Sequence, residues 1–204
     1  MKISAVCFDL GNVLIRVEWQ RLTAQLAEKS PYPPDKIAKL LREDPQPVAY
    51  ELGKISSTRF FAYLKKLLKY KGTAKELRAA FSEIFTPLAD HIALAAMLAR
   101  HYPLAILSNT NEAHIVHAEK AYSFFSLFPT RIYSYRVRMM KPHREIYDAA
   151  RAALGNVDPL EILFIDDLEA NVVAASKIGW QTIHLRPDVN LGQALASYEL
   201  LGLD

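Results

Sequence analysis

The chain has 204 residues and a formal net charge of +3, with 51% apolar and 23% charged residues. That length accommodates one core domain and a modest insertion, and the balance is that of an ordinary globular protein. No apolar run reaches the ~18–20 residues needed to span a bilayer, so no membrane association is expected. The stretch MKISAVCFDLGNVLI carries Asp9 within its apolar part and lacks a small-residue cleavage site, unlike a secretory leader. The lone Cys7 has no internal disulfide partner, and together these features predict a reducing, cytoplasmic setting. The positive charge is weak and dispersed, which argues against nucleic acid as a partner. Its densest run, Lys65, Lys66, Lys69 and Lys71, is interleaved with Leu64, Leu67 and Leu68 and reads as a solvated helix face.

In chain order, residues 3–8 form an apolar run ending at Asp9, as expected of a buried parallel strand. Residues 17–86 show no strand–helix alternation and read as four or five helices. Pro34-Asp35 opens one at its first turn, Ser56-Ser57 offers a cap, and Thr73-Ala-Lys-Glu76 is a capping box. Helical spacing returns over 90–101. Strands are then predicted at 104–107, 131–135, 161–165 and 181–185. Helices are predicted at 143–154 and 169–178, closed by Gly155 and Gly179. Alternating strands and helices imply an α/β fold, a Rossmann-like doubly wound parallel sheet with right-handed crossovers. The expected division is an α/β core from residues 1–15 and 87–204, with an inserted helical cap at 16–86.

In such sheets ligands bind beyond the carboxyl ends of the strands, where this sequence concentrates polar residues. The first strand ends in Asp9, the second in Ser108-Asn109-Thr110-Asn111 and the fourth in Asp166-Asp167; Arg138-Met-Met-Lys141-Pro142 follows the third. Carboxylates such as Asp9 and Asp167 are hard oxygen ligands suited to Mg²⁺, and a cation offsets the repulsion between a carboxylate nucleophile and a phosphoryl group. Ser108 can hold a phosphoryl oxygen, Lys141 supplies a point charge to the same oxygens, and Asp9 can attack phosphorus to form an aspartyl-phosphate. Adjacent carboxylates at 166 and 167 repel without a cation nearby.

These segments resemble the four motifs of the haloacid dehalogenase (HAD) superfamily: Phe8-Asp-Leu-Gly-Asn-Val-Leu14, Leu107-Ser-Asn-Thr110, Lys141-Pro142 with Glu145-Ile-Tyr147, and Phe164-Ile-Asp-Asp167 with Asn171. Glu51-Leu-Gly-Lys-Ile-Ser56 with Phe60-Phe61 is similar to a segment of the small helical-cap subgroup, which includes sugar-phosphate phosphatases and the phosphatase domain of epoxide hydrolases. The resemblance implies Asp9 as nucleophile and metal ligand, the Gly11 carbonyl as a metal ligand, and Ser108 and Asn109 as phosphate-binding. It further implies Lys141 as the stabilising cation, Asp167 as the metal carboxylate, Asp166 as a supporting or alternate ligand, and Asn171 as the group orienting Asp167 or a metal-bound water. The expected function is Mg²⁺-dependent hydrolysis of a small phosphomonoester, the small-molecule partner; oligomeric state is left open.

One position departs from the family pattern. Gly11 stands where most such phosphatases have a second Asp that protonates the leaving group and activates water. General acid–base catalysis is worth ~10²–10⁴-fold. Three readings follow: substrates with good leaving groups, a substitute such as Glu18, or a non-catalytic phosphate-ligand-binding protein. A haloacid dehalogenase also lacks that Asp and needs no metal, but its fourth motif lacks the Asp-Asp pair. Cys7 reads as a small core residue, and His114 and His117 as packing or surface residues. Trp19, Tyr50, Phe60, Phe61 and Tyr63 are expected to be cap core with one or two lining the substrate pocket; Arg16 and Arg59 are candidates to touch a phosphate or sugar.

Overall fold

The computed structural model describes residues 2–200. Its centre is a five-stranded, all-parallel sheet built from Ala5–Phe8 (β1), Leu104–Ser108 (β4), Thr130–Tyr133 (β5), Ile162–Asp166 (β6) and Gln181–His184 (β7), in the order β5-β4-β1-β6-β7. Strand β1 is central, with Cys7 in register with Ala105 on one side and Phe164 on the other. A second sheet is an antiparallel ribbon of Ile15–Val17 (β2) and Phe85–Pro87 (β3).

Side chains alternate between the two faces of the parallel sheet, as a period of two requires. Cys7, Ala105, Leu107, Ile162 and Phe164 face Ile146, Tyr147, Ala150, Ala175 and Trp180, which lie on or beside helices Arg144–Ala153 (α9) and Glu169–Lys177 (α10). Tyr147, Phe164 and Trp180 meet edge-on, with ring centroids 5.6–5.9 Å apart, the geometry aromatic quadrupoles favour. Val6, Phe8, Leu104, Ile106, Leu163 and Ile165 belong to the larger core on the other face. That core includes residues of Ala89–Leu98 (α6), Glu112–Ala121 (α7) and Leu191–Ala196 (α11). The strands are buried on both faces, which explains their unbroken apolar runs.

Between β2 and β3 run five helices: Trp19–Ala27 (α1), Pro34–Glu43 (α2), Gln46–Glu51 (α3), Ser57–Leu67 (α4) and Ala74–Ser82 (α5). Their starts follow local chemistry. Pro34 occupies the first turn of α2, Ser56 accepts from the Arg59 amide, and Thr73 and Glu76 form the reciprocal capping box of α5. Tyr50, Phe60, Phe61 and Phe81 pack as one aromatic cluster within this block.

Two sequence-based expectations change. The third strand ends at Tyr133 rather than residue 135, because Ser134 and Tyr135 turn into a short helix, Ser134–Val137 (α8). The Ser134 hydroxyl holds that turn, accepting from the Thr110 amide at 2.9 Å and donating to the Glu51 carbonyl at 2.6 Å, with the Thr110 carbonyl as its other acceptor in reach at 3.0 Å. The β2–β3 ribbon was not anticipated; each strand has three residues, too short to show a period, and the expected boundaries at 15/16 and 86/87 fall within it.

The helical block also docks on the core away from the ribbon. Gly53 approaches Tyr135 so closely that a Cβ would sit 2.1 Å from its carbonyl oxygen, and its φ is +62°. Glycine alone meets both demands. Gly53→Ala is expected to cost about 1–3 kcal/mol, read as a lowered midpoint in thermal or urea unfolding.

Candidate active site

The carboxyl ends of β1, β4 and β6, with the loop after α8, converge on one point. Asp9 follows β1, its amide bonded to the Ile165 carbonyl at 2.8 Å, so the strand pairing itself fixes the side chain's origin. Lys141 reaches in from the loop before α9. Its Nζ lies 2.8 Å from Asp9 Oδ1 and 2.6 Å from Asp166 Oδ2. All three residues are buried, at 3%, 7% and 0% exposure for Lys141, Asp9 and Asp166. Burial pushes the Asp9 carboxyl up, against the pull of Lys141. Burial likewise disfavours the Lys141 ammonium, but Asp9 and Asp166 outweigh it and the group is held above its ordinary value. It therefore stays charged.

Asp166 is fully engaged: besides Lys141 it accepts from Asn171 Nδ2 on both oxygens at 3.0 Å and from the Leu168 amide at 2.8 Å. Asn171 thus orients Asp166, not Asp167. The group on Asp167 is Asn12, whose Nδ2 donates to Oδ2 at 3.0 Å. Asn12 is a residue that sequence reasoning passed over; its left-handed φ of +53°, a conformation asparagine tolerates, turns the chain so that its side chain faces Asp167.

Carboxylate oxygens of Asp9, Asp166 and Asp167 lie within 4.8 Å of one another. Asp9 Oδ2 and Asp167 Oδ1 accept no hydrogen bond among the described residues. Three carboxylates face one ammonium, so the donor set fits a hard divalent cation and is short of positive charge without one. Gly11 lies two residues after Asp9, at the turn that follows β1.

Ser108, buried at 3% exposure, ends β4. With Gly11 and Asn109 it lines a cavity of about 90 Å³. Asn109 has a different job from the one expected of its side chain: Nδ2 donates to the Lys141 carbonyl and Oδ1 accepts from the Lys141 amide, both at 2.8 Å. It clamps the loop that delivers the lysine. Helix α7 is capped by Asn111, not Ser108, and the Ser108 hydroxyl makes no hydrogen bond among the described residues.

The same cavity is lined from the helical block by Val17, Trp19 and Glu51. Trp19, Glu51 and His114 also line a larger, mostly apolar cavity of about 450 Å³ within that block. Glu51 is partly buried, and its side chain makes no hydrogen bond or ion pair among the described residues. Burial pushes its carboxyl up to about 7. Glu18, the acid–base candidate from sequence, lines neither cavity; it stands at the start of α1. On the other side of Asp167, Asn12, Arg16, His91 and Arg186 line an open cleft of about 690 Å³. Arg59 lines none of these.

His114 is structural. It stacks on Phe81 at 4.7 Å, donates from Nε2 to the Phe81 carbonyl and accepts at Nδ1 from Asn111; burial lowers its pKa to about 4, so it stays neutral. Cys7 is fully buried in the apolar cluster under α9 and α10, and burial raises its thiol pKa, leaving it inert.

A model of the haloacid dehalogenase-like hydrolase family matches residues 3–179. The chain belongs to this hydrolase family. Among solved structures, a HAD family enzyme from Bacteroides thetaiotaomicron is 24% identical and covers 96% of this chain and 99% of its own, with a TM-score of 0.85. The same enzyme solved in complex with magnesium and inorganic phosphate is 25% identical, covering 94% and 98%, at a TM-score of 0.83. An L-2-haloacid dehalogenase from Xanthobacter autotrophicus, with chloropropionic acid covalently bound, is 21% identical and covers 98% of this chain and 85% of its own, at 0.65. Among curated proteins, enolase-phosphatase E1 of Saccharopolyspora erythraea is 44% identical over 45 residues, a match spanning 22% of this chain and only 19% of that protein.

The Glu51 carboxyl has a signature in stability. In the unfolded chain it titrates near its ordinary value of 4.5, in the fold near 7. Between those values the unfolded state releases a proton that the folded state keeps, so stability is lost as pH rises through this window. Glu51→Gln removes the effect. It is expected to match the parent at pH 4 and exceed it at pH 8 by up to about 3 kcal/mol, measured by urea unfolding at both pH values.

Proposed function

We propose that this hydrolase cleaves a small phosphomonoester through an aspartyl-phosphate on Asp9, with Mg²⁺ as its cofactor, in a reducing cytoplasmic compartment. The observation that carries the reading is the buried Asp9–Lys141–Asp166 bridge beside Asp167, with one oxygen of Asp9 left free of hydrogen bonds. Such a site presents a fixed nucleophile and an unmet demand for positive charge. The magnesium and phosphate held by the Bacteroides enzyme support the choice of cation and of leaving anion.

In this reading Asp9 and Asp167, with the Gly11 carbonyl, hold the cation. Asp166 stands behind them; its own oxygens are occupied by Lys141, Asn171 and Leu168, and it joins the ion only by giving one up. When bound, the divalent cation offsets phosphoryl charge and lowers the repulsion met by the attacking carboxylate. Lys141 then faces the phosphoryl oxygens with its charge already paired and positioned, so little reorganisation is needed. The Ser108 hydroxyl and the backbone of Asn109 hold a further oxygen. Asp9 attacks phosphorus, the ester oxygen leaves, and water hydrolyses the acyl phosphate. Residues 16–86 act as a cap over the core of 1–15 and 87–204, with the β2–β3 ribbon as its neck, excluding bulk water and selecting the leaving group.

The test is turnover of an aryl phosphate with and without added Mg²⁺. Metal-dependent phosphate release is expected, falling by about 10⁴-fold or more in Asp9→Asn. Full activity in that variant would refute the nucleophile assignment. Absence of metal-dependent turnover across a panel that includes sugar 1-phosphates would overturn the phosphatase reading, and metal-independent halide release from a 2-haloacid would replace it. Asp167→Asn is expected to raise the Mg²⁺ concentration needed for half-maximal rate by at least ~10-fold, read from a metal titration.

A further inference from the structure

Phosphoryl transfer to Asp9 leaves two proton problems. The departing oxygen of an alkyl ester must be protonated, and the water that cleaves the aspartyl-phosphate must lose a proton. Within the carboxylate cluster nothing is free for either task. Asp9 is the nucleophile, Lys141 is locked between two carboxylates, Asp166 is saturated, and Asp167 faces the cation. Gly11 has no side chain to offer.

We infer that Glu51, delivered from the helical block, is the general acid and then the general base of this site. The inference rests on the phosphatase reading above.

Three observations support it. First, Glu51 lines both the small cavity floored by Gly11, Ser108 and Asn109 and the larger apolar cavity behind it. It therefore stands at the junction between the phosphate cradle and the space a leaving group would fill. Second, its seat is built. Its carbonyl accepts from the Ser134 hydroxyl at 2.6 Å, and the same hydroxyl bonds Thr110, two residues beyond Ser108. Tyr50, its neighbour, accepts from the Ala113 amide at 3.0 Å and shares a hydrogen bond with Ser57, which in turn bonds Glu112. Gly53 presses against the Tyr135 backbone. Residues 50–53 are thus pinned to the start of α7, which follows Ser108 by four residues, and to α8. Third, the side chain itself is unspent, with no partner among the described residues. A carboxyl in that position gains nothing for stability, since burial without a partner is costly.

The carboxyl's affinity for its proton suits both tasks. Held near 7 by burial, it carries a proton into the first step and accepts one in the second. The titratable groups lining the two cavities with it are His114, which is neutral, and, in the larger cavity, Asp35, Arg42 and Tyr50, whose hydroxyl is pushed further from ionisation by burial. In the first step an Asp9 oxygen bonds to phosphorus as the P–O(ester) bond breaks. The bond's electron pair leaves on the ester oxygen, which takes the Glu51 proton. In the second, Glu51 carboxylate removes a proton from water, the water oxygen bonds to phosphorus, and the Asp9–phosphorus bond breaks with its pair returning to Asp9. Alcohol and inorganic phosphate are released, and Glu51 is protonated again.

The experiment is kcat/KM for the full-length protein with saturating Mg²⁺ on phosphate esters of graded leaving-group pKa, from p-nitrophenyl to alkyl. An acid is needed most where the leaving oxygen is most basic. Glu51→Gln, which keeps the backbone contacts to Ser134, is expected to lose ~10²–10⁴-fold on alkyl phosphates and under ~10-fold on p-nitrophenyl phosphate. Glu51→Ala is expected to regain alkyl-phosphate turnover on addition of formate, which a structural defect would not do. Equal losses across the series, or no loss, with no formate rescue, would overturn the role of Glu51 while leaving the phosphatase reading intact. Failure of the parent protein to turn over any phosphate ester would overturn both.

Discussion

A buried ammonium between two buried carboxylates organises this molecule's chemistry. Lys141 bridges Asp9 and Asp166 with almost no solvent contact, and a buried ion pair is sound only when each partner's remaining valences are met. The surrounding residues meet them. Asn171 and the Leu168 amide complete Asp166, the Leu10 amide completes one oxygen of Asp9, and Asn109 grips the Lys141 backbone at both its amide and its carbonyl. Removing the lysine leaves two carboxylates facing each other in a low-dielectric setting, so the ammonium is a condition of this buried arrangement.

The parallel sheet is what allows such a cluster to form. Strands β4, β1 and β6 are adjacent and run in the same direction, so the residues that follow them leave the sheet along one edge. Carboxylates far apart in the chain, Asp9 and the Asp166-Asp167 pair, are thereby brought within 4.8 Å of one another, on a support buried on both faces. The helical block approaches that edge from above. It lines an apolar cavity that includes Glu51, and the side of Asp167 stays open to a cleft flanked by Arg16 and Arg186.

How far the sequence carried this reading follows from the range of each signal. The sheet strands are legible because both of their faces are buried, and Asp9, Ser108 and Asp166-Asp167 are legible because they stand where each apolar run stops. Helix caps such as Thr73–Glu76 are local and could be read directly. The ribbon strands at 15–17 and 85–87 could not, since three residues carry no period and their pairing spans the whole insertion. The roles of Asn12, Asn109 and Asn171 were also out of reach. An asparagine's partner is set by which chain segment comes within 3 Å, and no spacing rule encodes that. Glu51 is the sharpest case: its sequence setting, Glu-Leu-Gly, marked a segment similar to known caps, but only the contact of Gly53 with Tyr135 shows why the glycine is there, and only the fold puts Glu51 in one cavity with Gly11 and Ser108.

The central position of β1 has a consequence for how the chain is made. Val6 pairs with Leu104 and Ala5 with Ile162, so the strand synthesised first is enclosed only after both neighbours have emerged. The intervening helices make mostly local contacts and can condense early, since local contacts close cheaply. Until β4 and β6 arrive, an apolar strand with two unpaired edges waits beside them, the kind of segment that invites association with other chains. Asp9 therefore sits at the end of a strand that must wait for both of its neighbours, and nascent chains of this protein are expected to need protection, by chaperones or by dilution, until the last third of the sequence has been made.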